Sequence, residues 1–135
     1  MGQGYLKLPK HLLDISILSG NERGWRKNDV LDVIEAARQV PIGTIGGQVQ
    51  YITPTGTCEL YWLSYDSAAR KSEEDWITYC NRSAFECSEK FKRLLTFDIR
   101  SEAIKSFPDA LYHDGKVLEN LDDYQVFIFY FDDKG

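Results

Sequence analysis

The clearest pattern along the chain is one apolar stripe over residues 73–95. Its members recur at steps of four, four, three, four and three, and they are Trp76, Cys80, Ala84, Cys87, Phe91 and Leu94. That spacing places them on one face of a helix. Acidic residues precede the stripe, basic residues end it, and Ser72 is a suitable N-cap, which agrees with the helix dipole. The pattern therefore predicts a long helix with one buried face.

Three other segments have the alternation or the aromatic and branched content of strands. Residues 48–52 and 57–65 flank the turn-forming Pro54-Thr55-Gly56, so they predict an antiparallel hairpin. Large apolar side chains occur on both faces of the second strand, which favours a central place in a sheet. Residues 124–131 are almost continuously aromatic or branched and predict the best strand in the chain.

Shorter patterns predict the remaining helices and one further strand. Helices are predicted at 8–19, 29–39 and 98–106, and a short strand at 116–118 follows a turn at 113–116. Neither an internal repeat nor a linker divides the sequence, so we expect a single domain over residues 1–135. The order of elements predicts an α+β fold, a small mostly antiparallel sheet with helices packed on it.

The composition narrows the class of protein further. The chain has 135 residues, of which 43% are hydrophobic and 27% charged, values that are typical of a globular domain. No apolar run approaches the ~20 residues of a membrane helix, and no basic segment with an apolar core opens the chain as in a signal peptide. The cysteines are odd in number and favour a reducing compartment. We therefore expect a cytoplasmic protein without a membrane partner.

The net charge of -5 is concentrated at the C-terminal end of the sequence. Residues 1–108 hold 14 basic and 14 acidic side chains, whereas residues 109–135 hold seven acids and two bases. An acidic surface repels phosphate backbones and attracts basic proteins, so we expect a basic protein partner and no nucleic acid. A solvated, solubilising face is the alternative interpretation of the same charges.

Residues that carry chemistry do not form a recognisable catalytic or metal-binding constellation. His11 lies in the first predicted helix and His113 in a turn, and neither has an assignable partner for nucleophilic catalysis. Cys80 and Cys87 lie on the apolar stripe, where a cysteine behaves as a small hydrophobic residue. No CxxC or HxxxH spacing indicates a metal site. We expect neither a metal nor a cofactor, and no enzymatic activity.

Two segments raise the question of phosphate binding. The glycine-rich residues 43–47 precede a strand instead of a helix, and no Lys-Ser/Thr follows them, so they fit a hinge better than a P-loop. Arg23, Arg26 and Lys27 surround Trp25, a combination that can stack on bases and contact phosphate. Three charges in one loop are too few to specify such a site. We expect a tryptophan at a helix junction with solvated neighbours.

Three stretches of the sequence carry a resemblance to a known class of protein. They are residues 23–30 (RGWRKNDV), 40–51 (VPIGTIGGQVQY) and 56–63 (GTCELYWL). They resemble small bacterial immunity proteins, which accompany polymorphic toxins, including those of contact-dependent growth inhibition. The resemblance extends over about residues 5–131 and assigns no functional residue. It implies a small cytosolic domain that binds and blocks one toxin domain.

The expected function is therefore inhibition of a toxin, a nuclease, by stoichiometric binding. A nuclease attracts phosphate with basic side chains, so an acidic surface can occlude its active site. The expected contact residues are C-terminal acids together with tyrosine anchors, namely Glu119, Asp122, Asp123, Asp132, Asp133, Tyr61, Tyr65 and Tyr112. Two alternatives stay open: a small-ligand domain or enzyme with a pocket of aromatic and carboxylate side chains, and an interaction module for another basic protein.

Overall fold

A computed structural model describes residues 3–133, except for the side chains of Gln3 and His113. The helices are α1 (Lys10–Asp14), α2 (Val30–Gln39), α3 (Trp76–Leu94), α4 (Ile99–Ser106) and α5 (Pro108–Leu111). The strands are β1 (Ile17–Ser19), β2 (Glu22–Trp25), β3 (Gly43–Thr53), β4 (Gly56–Ser64), β5 (Tyr112–His113), β6 (Lys116–Val117) and β7 (Gln125–Asp132). Turns of 3₁₀ helix cover Gln3–Lys7, Lys27–Asp29 and Leu121–Tyr124. Lys134, one of the two bases of the acidic C-terminal segment, lies outside the described residues.

One antiparallel sheet has the strand order β1-β2-β7-β3-β4, and β5 pairs with β6 in a separate small hairpin. β7 lies in the middle of the larger sheet, between β2 and β3. Its side chains are buried on both faces, which explains its nearly continuous apolar sequence. The predicted α+β fold with an antiparallel sheet and packed helices is confirmed.

The main core lies between the sheet and α3. Phe127, Phe129 and Phe131 alternate along β7 and point to the same face, where Trp25 and Phe91 join them. The rings of Phe91 and Phe127 are 5.2 Å apart and nearly perpendicular, and those of Trp25 and Phe129 are 6.3 Å apart. Such edge-to-face pairs add to the free energy of burial. α3 packs against β3, and α2 packs against α3.

The sheet is strongly coiled on the face opposite this core, so that its edge strand β1 approaches β3. β2 and β7 separate β1 from β3, a distance of roughly 14 Å in a flat sheet. The Ser19 hydroxyl of β1 nevertheless donates to Gln50 Oε1 of β3 at 3.0 Å. Val126 and Ile128 are buried on this face, and a Cβ on Gly24 would clash with both of their side chains. The β1–β2 hairpin therefore curls towards β3 and covers part of this face.

The predicted helix over 73–95 is confirmed as α3, but it begins later than expected. Asp75, and not Ser72, is the N-cap, because its carboxylate accepts a hydrogen bond from the Thr78 N–H at 3.2 Å. The residues before it form a loop that Arg82 holds against α3. Arg82 donates to Glu74 Oε2 at 2.6 Å and to the Ala68 carbonyl at 3.1 Å. These contacts hold the preceding residues outside the helix.

The predicted helix over 8–19 is wrong in its second half. α1 ends at Asp14, and residues 17–19 form β1, which pairs with β2. β2 also replaces the predicted helix junction around Trp25. This indole is fully buried, and its N–H donates to the Leu12 carbonyl at 2.7 Å. Pairing with β7 and burial of Trp25 outweigh the local helical pattern, since short helices are marginal by themselves.

The strand β4 lies at the edge of the sheet, so the predicted central position is wrong. Leu60 pairs with Val49 and Ser64 pairs with Gln48, so residues 61–63 bulge out of the ladder. A bulge of this kind distorts an exposed edge and so disfavours pairing with another chain. Here it also turns large side chains towards the surface.

The glycine-rich residues 43–47 belong to β3 and are not the predicted hinge. A Cβ on Gly47 would clash with the Ile128 carbonyl, and one on Gly43 would clash with the Tyr79 ring. These glycines therefore permit close approach of β7 and α3 to β3. The other predicted elements, helices at 29–39 and 98–106 and strands at 57–65, 116–118 and 124–131, occur with small shifts as α2, α4, β4, β6 and β7.

Candidate functional site

The predicted acidic contact residues are divided between the two ends of β7. Glu119 precedes β7 in the chain, and Asp122 and Asp123 lie in the 3₁₀ turn that leads into it. Asp132 is the last residue of β7, and Asp133 follows it. Because seven residue steps separate the ends of this strand, the two groups are roughly 23 Å apart. The five acids therefore do not form one continuous patch.

The three predicted tyrosine anchors lie in different environments. Tyr61 on β4 is 71% exposed, and Tyr112 on β5 is 42% exposed. Tyr65 is fully buried, and its hydroxyl donates to the Ile128 carbonyl at 2.6 Å. This corrects the expected role of Tyr65, which is a core residue and presents no surface to a partner. The sequence does not reveal this, because Tyr65 follows the bulge that changes the alternation of β4.

Exposed aromatic side chains cluster where β4 bulges. The Trp62 indole stacks on Phe107 with ring centroids 6.4 Å apart and an interplanar angle of 20°. The Tyr61 ring contacts the Trp62 indole edge-on, with centroids 5.1 Å apart. The indole N–H donates to Glu102 Oε1 of α4 at 3.1 Å. Phe97, between α3 and α4, is 63% exposed. Tyr61, Trp62, Leu63 and Phe97 together form the Trp62–Phe97 surface.

Two depressions flank this surface. Trp62, Leu63 and Phe97 line both of them. One has a volume of about 480 Å³ and extends to α4, and the other has a volume of about 320 Å³ and extends to the last turns of α3. Both volumes fall within the range of roughly 300–1,000 Å³ that ligand sites occupy. Each depression can therefore receive a large side chain of a partner.

Charged side chains form a rim around the apolar centre. Asp98 caps α4 and accepts a hydrogen bond from the Ser101 N–H at 3.0 Å. The Lys90 ammonium donates to the Asp66 carbonyl at 2.5 Å. Arg93 and Lys105 add positive charges at the two depressions. An apolar, aromatic centre inside a polar rim is the usual anatomy of a protein–protein interface.

The cysteine thiols are placed for packing. All three are buried, and burial raises the pKa of the Cys87 thiol to about 12. That thiol is protonated at neutral pH, whereas a nucleophile or metal ligand must be a thiolate. Among the side chains that the structure describes, no cluster of three or more His, Cys, Asp and Glu residues is placed to hold a metal ion. Across residues 3–133, every helix is too short or too polar to span a membrane.

Neither Trp62 nor Phe97 is among the contact residues predicted from the sequence. The alternation of β4 places Trp62 on the same face as the buried Leu60, and the bulge alone turns it outwards. Phe97 follows the end of the α3 stripe, where no periodic pattern applies. The adjacent pair Tyr61-Trp62 does carry one signal in the sequence. Neighbouring strand residues face opposite sides of a sheet, so the two rings cannot both face the same core.

The architecture is thus an α+β domain with an exposed aromatic surface beside an edge strand. Comparison of the chain with protein-family models, with curated proteins and with solved structures gives no match. Because a fold by itself does not imply a function, the exposed surface and its chemistry carry the functional information.

Proposed function

We propose that the chain is a protein-binding domain whose partner docks on the Trp62–Phe97 surface. The observation that carries this proposal is the exposure of three neighbouring rings, 71% for Tyr61, 41% for Trp62 and 63% for Phe97. Tryptophan and tyrosine supply a large share of binding energy at interfaces. Removing such rings from water favours association by roughly 25 cal/mol per Å² of apolar surface.

The narrower proposal is an immunity protein that neutralises a cognate bacterial toxin domain, a nuclease, by stoichiometric occlusion. It is supported by the resemblance carried by residues 23–30, 40–51 and 56–63, since the last of these stretches contains Tyr61 and Trp62. The stretch that resembles immunity proteins therefore contributes directly to the proposed docking surface.

Acidic residues next to this surface would attract a basic toxin domain. Asp122 lines a pocket together with Phe97, so the group at the start of β7 adjoins the aromatic surface. Long-range attraction between opposite charges raises the association rate and is weakened by salt. Charge reversal of Asp122 and Asp123 to lysine should therefore slow association. Reversal of Asp132 and Asp133, at the other end of β7, should slow it less.

Coexpression with the C-terminal domain encoded by the gene immediately upstream tests the proposed function. That domain alone should stop growth, the chain should restore it, and calorimetry on the purified pair should give one-to-one binding. Combined Tyr61→Ala and Phe97→Ala substitutions should abolish rescue. Phe85→Ala is the matched control, because Phe85 is a comparably exposed ring (66%) on α3.

Each outcome separates a different part of the proposal. A toxic domain that the chain does not neutralise contradicts the immunity function for that pair. Rescue that survives the Tyr61→Ala and Phe97→Ala substitutions contradicts the docking surface and leaves the immunity function in place. Loss of rescue with Phe85→Ala as well would contradict an interface confined to the Trp62–Phe97 surface and would extend it to α3.

A further inference from the structure

A third pocket that Phe97 also lines has a volume of about 390 Å³. Four parts of the chain meet there: the residues before α2, the α3–α4 connection, the first turn of α4 and the start of β7. The lining includes three cationic side chains, Arg26, Lys27 and Arg100. Arg26 and Lys27 are adjacent in the chain, and the fold brings Arg100 to them.

The positive charges in this pocket are weakly compensated. The Arg26 Nη1 donates to the Gln125 carbonyl at 3.0 Å, which orients the guanidinium but does not neutralise it. The Arg100 Nε lies 3.7 Å from Asp122, the longest ion pair in the described part of the chain. Within that part, Arg26 and Lys27 form no ion pair. Charged donors in the pocket are therefore available to an anion.

The two carboxylates of the pocket leave these donors available. Both oxygens of Asp98 accept hydrogen bonds from Ser101, one from the backbone N–H at 3.0 Å and one from the hydroxyl at 2.9 Å. Asp98 is therefore engaged in capping α4. The Asp122 side chain is 79% exposed, so water screens its charge and it is free to rotate away. By contrast, Arg38 and Arg82 elsewhere contact carboxylates at 2.6 Å.

Neutral donors and a ring complete the lining. The Gln125 side-chain amide donates to the hydroxyl of the fully buried Tyr51 at 3.0 Å. The Asn28 amide lies in the same lining, and Phe97 presents an exposed ring. The pocket thus offers cations, neutral donors and an aromatic surface.

We propose that this pocket binds a phosphate monoester that carries a flat ring, the chemistry of a mononucleotide. Guanidinium and ammonium groups donate charge-assisted hydrogen bonds to phosphate. The ring of Phe97 provides a stacking platform for the organic part. This proposal does not rest on the proposed docking of a toxin, although Phe97 and Asp122 belong to both sites.

Three ligands separate the phosphate from the ring: adenosine monophosphate, adenosine and inorganic phosphate. Each is titrated into the full chain and followed by heteronuclear NMR at constant ionic strength. We expect saturable binding of adenosine monophosphate with shifts confined to the pocket residues and the ring of Phe97. Adenosine and inorganic phosphate should each bind at least about tenfold more weakly than adenosine monophosphate, because each lacks one of the two contacts.

Matched variants locate the charged contacts. Arg26→Gln combined with Arg100→Gln should weaken binding of adenosine monophosphate about tenfold or more, since each removes a charge-assisted hydrogen bond. Arg38→Gln, which removes an exposed arginine on α2, should leave it unchanged. Lys27→Gln breaks no hydrogen bond of the described structure, so a weaker affinity in that variant cannot be attributed to unfolding.

Four results would overturn the proposal. The first two are absence of saturation up to millimolar adenosine monophosphate, and an affinity for inorganic phosphate equal to that for adenosine monophosphate. The third is an affinity for adenosine monophosphate that is the same in wild type and in all the arginine and lysine variants. The last is tighter binding of a single-stranded oligothymidylate than of adenosine monophosphate. The last result would replace the small ligand by a nucleic-acid strand. Because the titrations contain no toxin domain, their failure leaves the outcome of the coexpression experiment unaffected.

Discussion

Replacement of Thr44 by valine should stabilise the protein. Thr44 lies in β3 with no exposed surface, and its Oγ1 is the buried side-chain polar atom that has no hydrogen-bond partner among the described residues. Its backbone, in contrast, is fully engaged. The N–H donates to Ser83 Oγ at 3.0 Å, and the carbonyl accepts from Ser67 Oγ at 2.7 Å. Valine has nearly the same shape, so the substitution removes the unpaired hydroxyl and keeps these contacts.

The expected magnitude follows from the burial of this hydroxyl. A buried polar group without a partner costs about 1–3 kcal/mol of folding free energy. The methyl group that replaces it contributes about 0.8 kcal/mol when buried, and valine is favoured in strands. The strand is tightly packed against β7 and α3, which offsets part of this gain. We therefore expect the free energy of unfolding to rise by roughly 1–2 kcal/mol, and the Tm by about 3–6 °C.

Equilibrium unfolding in urea measures this change, with the slope of the transition expected to stay constant. Thr53→Val is the matched control. Thr53 lies in the same strand with 8% exposure, and its hydroxyl donates to the Gly56 carbonyl at 2.9 Å. That substitution should destabilise the protein by about 1 kcal/mol. A destabilised Thr44→Val variant would refute the reasoning, because it would show that the Thr44 hydroxyl has a partner, such as a buried water.

Three further outcomes are expected. Arg82 donates to Glu74 and holds the pKa of the Glu74 carboxyl at about 2, below its ordinary value of 4.5. This lowered pKa stabilises the fold above pH 4.5, and the stabilisation is lost as pH falls towards 2. Urea titrations should therefore show a gap between wild type and Glu74→Gln at neutral pH that closes in acid, and a constant gap would contradict the pair. A thiol reagent at mildly alkaline pH should label the three buried cysteines in denaturant but not in the native state, and rapid native labelling would show that they are exposed. Gly47→Ala should abolish the cooperative thermal transition, because its Cβ would meet the Ile128 carbonyl, whereas Gly115→Ala in an open turn should cost only about 1 kcal/mol.

The elements that are predictable from sequence are those whose pattern is long or chemically explicit. The stripe from Trp76 to Leu94 continues for five turns, so few shifts of register preserve it. The β3–β4 hairpin has a proline and a glycine at its turn, which leave the chain few other conformations there. In both segments the local preference and the tertiary contacts favour the same structure, and this agreement is what makes them predictable.

The β1–β2 hairpin is stabilised by contacts that no local pattern contains. β1 has three residues, and its local sequence continues the apolar spacing of α1. What holds the hairpin in place is remote in sequence: the ladder to β7, the Ser19–Gln50 hydrogen bond and the Trp25 indole bonded to Leu12. Contacts of this kind exist only after the sheet has coiled, so periodicity over residues 8–19 predicts the wrong element there.

The acidic segment shows why charge density along a sequence does not by itself define a surface. Acids at 119–133 are close in the chain, and through a helix or a turn they would be close in space. They flank a strand instead, and a strand separates its two ends by about 3.3 Å per residue. Conversely, Trp62 and Phe97 are distant in the chain, yet the end of α3 returns to the edge at β4 and brings them to the same depressions. Asp122 therefore shares a pocket with Phe97, whereas Asp132 lies at the far end of β7.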